Sequence, residues 1–194
     1  RPSLPAYKLV VATSLPILRE QALQALSKAS GPVVLGPRSG SKTEHFQIPP
    51  DLPPGALREL LPLQVTRVES YRPGLADRVY WGGREWKAEV WKEWLESDLE
   101  PVASFFDGRG AIYQHHNRHF LAFWPGPEFL ESYLGQVAES AGLPLHRLPD
   151  DLRIRRRGNL VFAFNYSHQS QPAPAPEGAV FILGGPTLEA YNFC

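Results

Sequence analysis

Two short apolar runs on either side of one helix-length segment constrain this chain more than any other feature. Tyr7-Lys8-Leu9-Val10-Val11-Ala12 and Val33-Val34-Leu35 lack the strict alternation of a strand with one wet face. They read as strands buried on both sides. Between them Leu15, Leu18, Ala22, Ala25, Leu26 and Ala29 recur at helical spacing, with Ser14 as N-cap and Gly31-Pro32 as terminator. A strand, a helix and a second strand with short links make the right-handed crossover of a parallel sheet. The opening of the chain is therefore expected to be α/β.

The rest of the chain is richer in strands. Residues 36–56 hold five prolines and three glycines and read as loop, followed by a helical turn over residues 57–61. Residues 64–69 and 78–81 are expected strands. In residues 85–97, Trp86, Val90 and Trp94 fit a helical face, whereas Trp86, Ala88 and Val90 alternate with Lys87 and Glu89. The tryptophans and flanking glycines favour a strand. Residues 102–106, 111–115 and 119–124 read as three more strands. Pro125-Gly126-Pro127 launches a helix with Leu130, Tyr133, Leu134, Val137, Ala138 and Ala141 on one face, ended by Gly142. From Asp150 the texture changes. Residues 152–155, 160–164 and 179–183 read as antiparallel strands, the last two joined by an extended link containing Pro172, Pro174 and Pro176.

The 194 residues thus divide into a larger part, 1–149, and a small antiparallel β part, 150–194. Twenty basic residues balance twenty acidic ones, so no basic surface for nucleic acid is signalled. No apolar run approaches the length that spans a bilayer. The single cysteine, Cys194, excludes an internal disulfide framework and any multi-cysteine zinc site. Methionine is absent, and Arg1-Pro2 is not a start from which an initiator methionine is normally removed. A piece of a longer chain is the expectation. Twenty prolines, roughly twice the usual ~5%, accompany four asparagines, a composition that fits heat adaptation.

The candidate chemistry is thin. Gly36-Pro37-Arg38-Ser39-Gly40-Ser41-Lys42-Thr43 nearly spells a phosphate-binding loop after a buried strand, but Ser41 stands where the motif needs glycine. Pro49-Pro50 and Pro53-Pro54 also block the long helix that would complete the anion site. A shaped structural loop is the better reading. His115, His116 and His119 fall on an expected hairpin, where side chains alternate in direction, and read as a solvated turn rather than a metal site. Trp81, Trp86, Trp91 and Trp94 suit a core or a subunit interface, with a sugar-stacking surface as the alternative. Residues 153–157 present arginines on an expected strand face open to solvent. No Gly-x-Ser-x-Gly elbow occurs. No catalytic, cofactor-binding or metal residue is assigned, and no cofactor is expected.

Several stretches together resemble the C-terminal half of bacterial β-galactosidases of glycoside hydrolase family forty-two, the thermophile type above all. They are residues 31–43, then Leu52-Pro53-Pro54-Gly55-Ala56-Leu57-Arg58-Glu59-Leu60-Leu61, Ala122-Phe123-Trp124-Pro125, Arg155-Arg156-Arg157-Gly158 and Val161-Phe162-Ala163-Phe164-Asn165-Tyr166. The resemblance implies a three-part enzyme. A (β/α)₈ barrel holds two catalytic glutamates for retaining hydrolysis, a flavodoxin-like, amidotransferase-like α/β domain builds a trimer, and a small β domain ends the chain. This sequence corresponds to the last two parts, with the flavodoxin-like domain lacking its first strand and helix, which leaves an open sheet edge. The catalytic glutamates match no position here. The implied role is the non-catalytic, oligomerising and scaffolding portion of a cytoplasmic β-galactosidase, its partners being sister subunits and, for the parent enzyme, β-galactosides. The alternative is a carbohydrate-binding module built on Trp81, Trp86, Trp91 and Trp94. A glutaminase-type amidotransferase would need an internal cysteine, which is absent.

Overall fold

Pro16 decides how the chain opens. The residue before a proline avoids the helical region, so residues 14–19 run extended, and the Pro16 carbonyl accepts a hydrogen bond from the Lys42 amide. The first strand, β1, covers Val10–Ala12, and helix α1 begins only at Glu20–Ser27, with Arg19 rather than Ser14 at its N-cap. The expected N-cap at Ser14 is thus corrected. The structure, a computed structural model, describes residues 4–145 and 147–192. Arg1, Pro2 and Cys194 lie outside the described residues.

β2 (Val33–Leu35) pairs in parallel with β1, as the strand–helix–strand reading requires. Its other edge pairs in parallel with β8 (Arg118–Leu121). Arg118 ties this unit together. Its buried guanidinium donates to the carbonyls of Leu26, Ser27 and Ala29 at 2.8, 3.0 and 3.1 Å, at and just past the C-terminal end of α1.

The remaining pairings of the main sheet are antiparallel. They join β3 (Leu63–Ser70), β4 (Asp77–Trp81), β5 (Arg84–Ser97), β6 (Pro101–Phe105), β7 (Gly110–His115) and β9 (Phe123–Pro125). The sheet order is β1-β2-β8-β7-β6-β4-β5-β3, and β9 returns to pair with β5. The expected single strand over residues 119–124 is therefore two, split at Ala122. There the Ala122 amide donates to Ala111 on β7, while its carbonyl accepts from Glu93 on β5. One residue hands the chain from one neighbour to the other and closes the ring β5-β4-β6-β7-β8/β9. Closure removes exposed edges from that part of the sheet.

Helix α2 (Pro127–Ser140) starts with proline in its first turn and buries Phe129, Tyr133, Val137 and Ala138. Phe129 is the centre of an aromatic cluster, with ring centroids 5.1 Å from Phe123, 5.3 Å from Trp86 and 5.5 Å from Trp81. Edge-to-face packing of this kind adds about 0.5–1.5 kcal/mol per pair beyond burial. A second cluster, around Leu26, Leu35, Leu57, Leu61 and Phe120, lies under α1. With two α-helices among the described elements, the domain is a mixed sheet rather than an alternating α/β sheet. No helix among the described residues is long and apolar enough to cross a membrane.

The chain divides into two units, Arg1–Leu145 and His146–Cys194. The second contains two antiparallel pairs, β10 (Leu152–Arg157) with β11 (Leu160–Asn165), and β12 (Gln171–Pro172) with β13 (Thr187–Leu188). Asn165 organises it. Its side-chain amide donates to the carbonyls of Gln169, Leu188 and Glu189, while its oxygen accepts from the amide and hydroxyl of Ser167. Residues 179–183, expected as a third strand, carry no strand structure. They have the composition of a strand but pair with no strand among the described residues.

Candidate functional site

The loop after β2 is the most specific motif of the sequence, and its geometry shows what its residues do. A Cβ on Gly36 would stand 1.7 Å from the Thr13 carbonyl oxygen, so the close approach of β1 and the loop admits only glycine. Gly40 has φ of +66°, and a Cβ there would meet the Pro54 carbonyl oxygen at 2.0 Å. The buried Ser39 hydroxyl donates to the Gly36 carbonyl at 2.8 Å and accepts from the Leu15 amide at 3.2 Å. The Arg38 amide donates to Glu93 Oε1 at 2.8 Å. A phosphate cradle aims such amides at an anion from solution. Here the amide already serves a carboxylate of the protein, and a reverse-turn segment rather than a helix follows.

Glu93 is the most unusual ionisable group of the chain. It is 98% buried by area, accepts a second hydrogen bond from Trp91 Nε1 at 3.1 Å, and its Oε2 has no partner among the described residues. Burial pushes its carboxyl up to about 7, against the opposing hydrogen bonds from Trp91 and Arg38 and the charge of Arg38. Its neighbour Lys92 is equally buried but fully compensated. Lys92 Nζ lies 2.6 Å from Asp77 Oδ2 and 3.2 Å from Asp107 Oδ2, and Arg109 Nη1 lies 2.9 Å from that same Asp107 oxygen. Burial pushes the Asp107 carboxyl up, but the Arg109 amide, Lys92 and the Arg109 charge outweigh it and hold it below the ordinary value. Sequence reading missed this pair because Lys92-Glu93 looks like a solvated stretch. At Lys92, β5 has β3 on one edge and β9 on the other, so the strand is enclosed.

Retaining hydrolysis of a glycoside needs two carboxyl groups about 5–5.5 Å apart, one of them free to attack. Asp77 and Asp107 instead share one ammonium. An apolar pocket of about 170 Å³ lies at the ends of β1, β2 and β8, bounded by Val11, Thr13, Val34, Pro37, Leu121 and Trp124. This is where open α/β sheets bind ligands, but the lining provides neither acid nor base.

The three histidines do not converge. His119 is buried and shares a 2.9 Å hydrogen bond with the Tyr133 hydroxyl, and burial lowers its imidazole below the ordinary value. His115 Nδ1 is 3.1 Å from the Leu60 carbonyl oxygen. No group of three metal-ligating side chains forms among the described residues. The tryptophans separate as well. Trp81 and Trp86 pack with Phe129 in the core. Trp91 faces Arg38 at 5.2 Å, and Trp94 carries the guanidinium of Arg67 at 4.2 Å and that of Arg109 at 3.6 Å. They form no common platform for a sugar, which removes the basis of the carbohydrate-binding alternative. The arginines of residues 153–157 are exposed on β10, as a solvated strand face requires.

A family profile described as the β-galactosidase trimerisation domain matches residues 1–144, and one described as the β-galactosidase C-terminal domain matches residues 151–192. The chain belongs to the β-galactosidase trimerisation-domain family. Among its relatives, a β-galactosidase of Thermus thermophilus is 50% identical over 190 residues, covering 98% of this chain and 30% of the relative. BgaA of a Thermus species is 51% identical over the same length. A solved β-galactosidase from Marinomonas ef1 superposes with a TM-score of 0.86 at 31% identity, over 96% of this chain and 28% of that one. The chain thus spans about 30% of the length of the curated relatives it matches. Within this β-galactosidase family it corresponds to the C-terminal portion.

Proposed function

We propose that the chain is the non-catalytic C-terminal portion of a β-galactosidase, which joins subunits and supports a catalytic part acting on terminal β-galactosyl residues by a retaining mechanism. The observation that carries this reading is the match to a trimerisation domain over residues 1–144, on a fold whose buried Lys92 is held between Asp77 and Asp107. Residues 1–149 carry the subunit contacts, residues 150–194 form the small β domain, and neither contributes catalytic, cofactor or metal residues. The assembly is a homotrimer in the cytoplasm. In the same reading the parallel strands β1, β2 and β8 belong to a flavodoxin-like layout onto which antiparallel strands have been added; their parallel pairing and the α1 crossover support it.

Two measurements test the proposal. The chain given a chromogenic β-galactoside should show no turnover, and clear hydrolysis overturns the non-catalytic role. Light scattering at low protein concentration should give the mass of three subunits, and a monomer overturns the oligomerising role.

A further inference from the structure

Glu93 and Arg38 are only half joined. The buried Glu93 carboxyl takes the Arg38 amide and Trp91 Nε1 on one oxygen, at 2.8 and 3.1 Å, and leaves Oε2 without a partner among the described residues. The Arg38 side chain is exposed. Its guanidinium pairs with no carboxylate among the described residues and rests on the face of Trp91, 5.2 Å from the ring centroid. The indole thus serves both, its N–H on the acid and its face under the cation. Arg38 has φ of +66°, and its carbonyl accepts from the Ser41 hydroxyl at 2.6 Å. Its backbone is held while its side chain is free to turn.

Among the described residues no other charge competes for this carboxyl. Lys92, next along β5, points to the opposite face and is held between Asp77 and Asp107. On β3 the residue opposite Glu93 is Val68, and Glu69 beside it pairs with Arg67. β9 carries no ionisable side chain, and Ala122 offers only a carbonyl, to the Glu93 amide. Lys42, the other charge of the loop, is drawn towards Pro16 and Ile17. Burial pushes the Glu93 carboxyl up to about 7; the bonds from Trp91 and the Arg38 amide oppose it, and Arg38 is the one charge that does so.

We propose that Arg38 is a proton-driven arm, whose guanidinium rests on Trp91 while Glu93 is protonated and folds inward to donate to Glu93 Oε2 once the proton passes to solvent. The protonated acid has no charge to compensate, so the guanidinium keeps its hydration and the indole face. Ionisation puts a charge in the core with one oxygen unserved, which is costly until a donor reaches it. A charge-assisted hydrogen bond to a buried carboxylate outweighs a cation–π contact made at the surface. The carboxyl already lies against the amide of Arg38 itself, so the guanidinium has only to fold back along its own chain. The movement replaces a surface cation by an open indole face beside the loop after β2.

The experiment is NMR of the full chain, deuterated and carrying isotope-labelled arginine and glutamate, as pH is raised through 7. The Glu93 carboxyl signal is the one lost in Glu93→Gln. Above its midpoint the Arg38 Nε–H should exchange with water about tenfold more slowly than that of the exposed Arg156 at the same pH, and below it at the same rate. Glu93→Gln should remove this protection. Arg38→Gln should raise the proton affinity of Glu93 about tenfold, since the carboxylate loses its one counter-charge. An Arg38 Nε–H that exchanges like that of Arg156 at every pH overturns the proposal, and that reading needs no variant to fold. An unchanged Glu93 midpoint in Arg38→Gln overturns it as well. A raised midpoint without protection would mean a cation acting from a distance, and overturns the movement.

Discussion

Replacing Glu93 by glutamine should turn a pH-dependent stability into a flatter one. In the fold this carboxyl is raised from an ordinary 4.5 to about 7 by burial. The folded chain therefore binds the proton more tightly than the unfolded chain. The stabilisation from protonated Glu93 is fully present below the unfolded value and is lost as pH rises through the folded one. Between roughly pH 5 and pH 8 the wild type should lose about 2–3 kcal/mol of unfolding free energy from this residue. Glutamine keeps an acceptor oxygen for the Arg38 amide and Trp91 Nε1 but carries no charge to bury, so Glu93→Gln should not show that loss. Its advantage should be greatest at the alkaline end. His119 works in the opposite direction, because burial lowers its imidazole and the fold binds fewer protons there. That contribution is common to both proteins and cancels in the comparison. Urea unfolding followed by tryptophan fluorescence, with Trp91 beside the site, reads the effect as a relative midpoint shift of about 1 M across the range, for a slope near 2 kcal/mol/M. Parallel pH profiles for the two proteins would refute the reasoning, because they would mean that Glu93 titrates as a solvated carboxyl.

Gly36→Ala should prevent stable folding, since a methyl group 1.7 Å from the Thr13 carbonyl oxygen forces β1 and the loop apart; loss of the cooperative thermal transition by circular dichroism checks it. Arg118→Ala should cost about 3 kcal/mol in urea unfolding, because three carbonyls at the end of α1 lose a charged donor. Arg118→Lys should recover only part of it, as an ammonium does not reproduce the planar fork. Asn165→Ala should destabilise the second unit by about 2 kcal/mol or more, since the carbonyls of Leu188 and Glu189 lose their bond to its amide. Hydrogen exchange should show faster amides in β10 and β11, with those of β2 and β8 unchanged.

Features governed by local spacing were legible before the structure. The strand Val33-Val34-Leu35, the helix after Pro125-Gly126-Pro127 and the long strand over residues 85–97 all appear, because apolar periodicity and proline placement act within a few residues. Ser14 misled because a good N-cap residue counts for little when Pro16 follows and the chain is drawn towards Lys42. Residues 179–183 misled for a different reason. Strand propensity expresses itself only against a neighbouring strand, and the second unit supplies none among the described residues. The candidate site was partly legible. Its glycines and prolines mark the loop at residues 36–43, while nothing local marks its partner Glu93, fifty-five residues away from Arg38.

By itself, the sequence determined the family and the elements set by local spacing. Those rest on residue identity and short-range order. The tertiary structure alone decided that the sheet is mixed rather than alternating α/β, and that its antiparallel strands close through Ala122. It also decided that Lys92 and Glu93 are buried side by side with different fates, one paired between two carboxylates and the other with one oxygen unpartnered among the described residues. Such outcomes depend on which distant strands come to flank a residue, and long-range pairing is set by the cooperative packing of the whole core, not by any local run of residues.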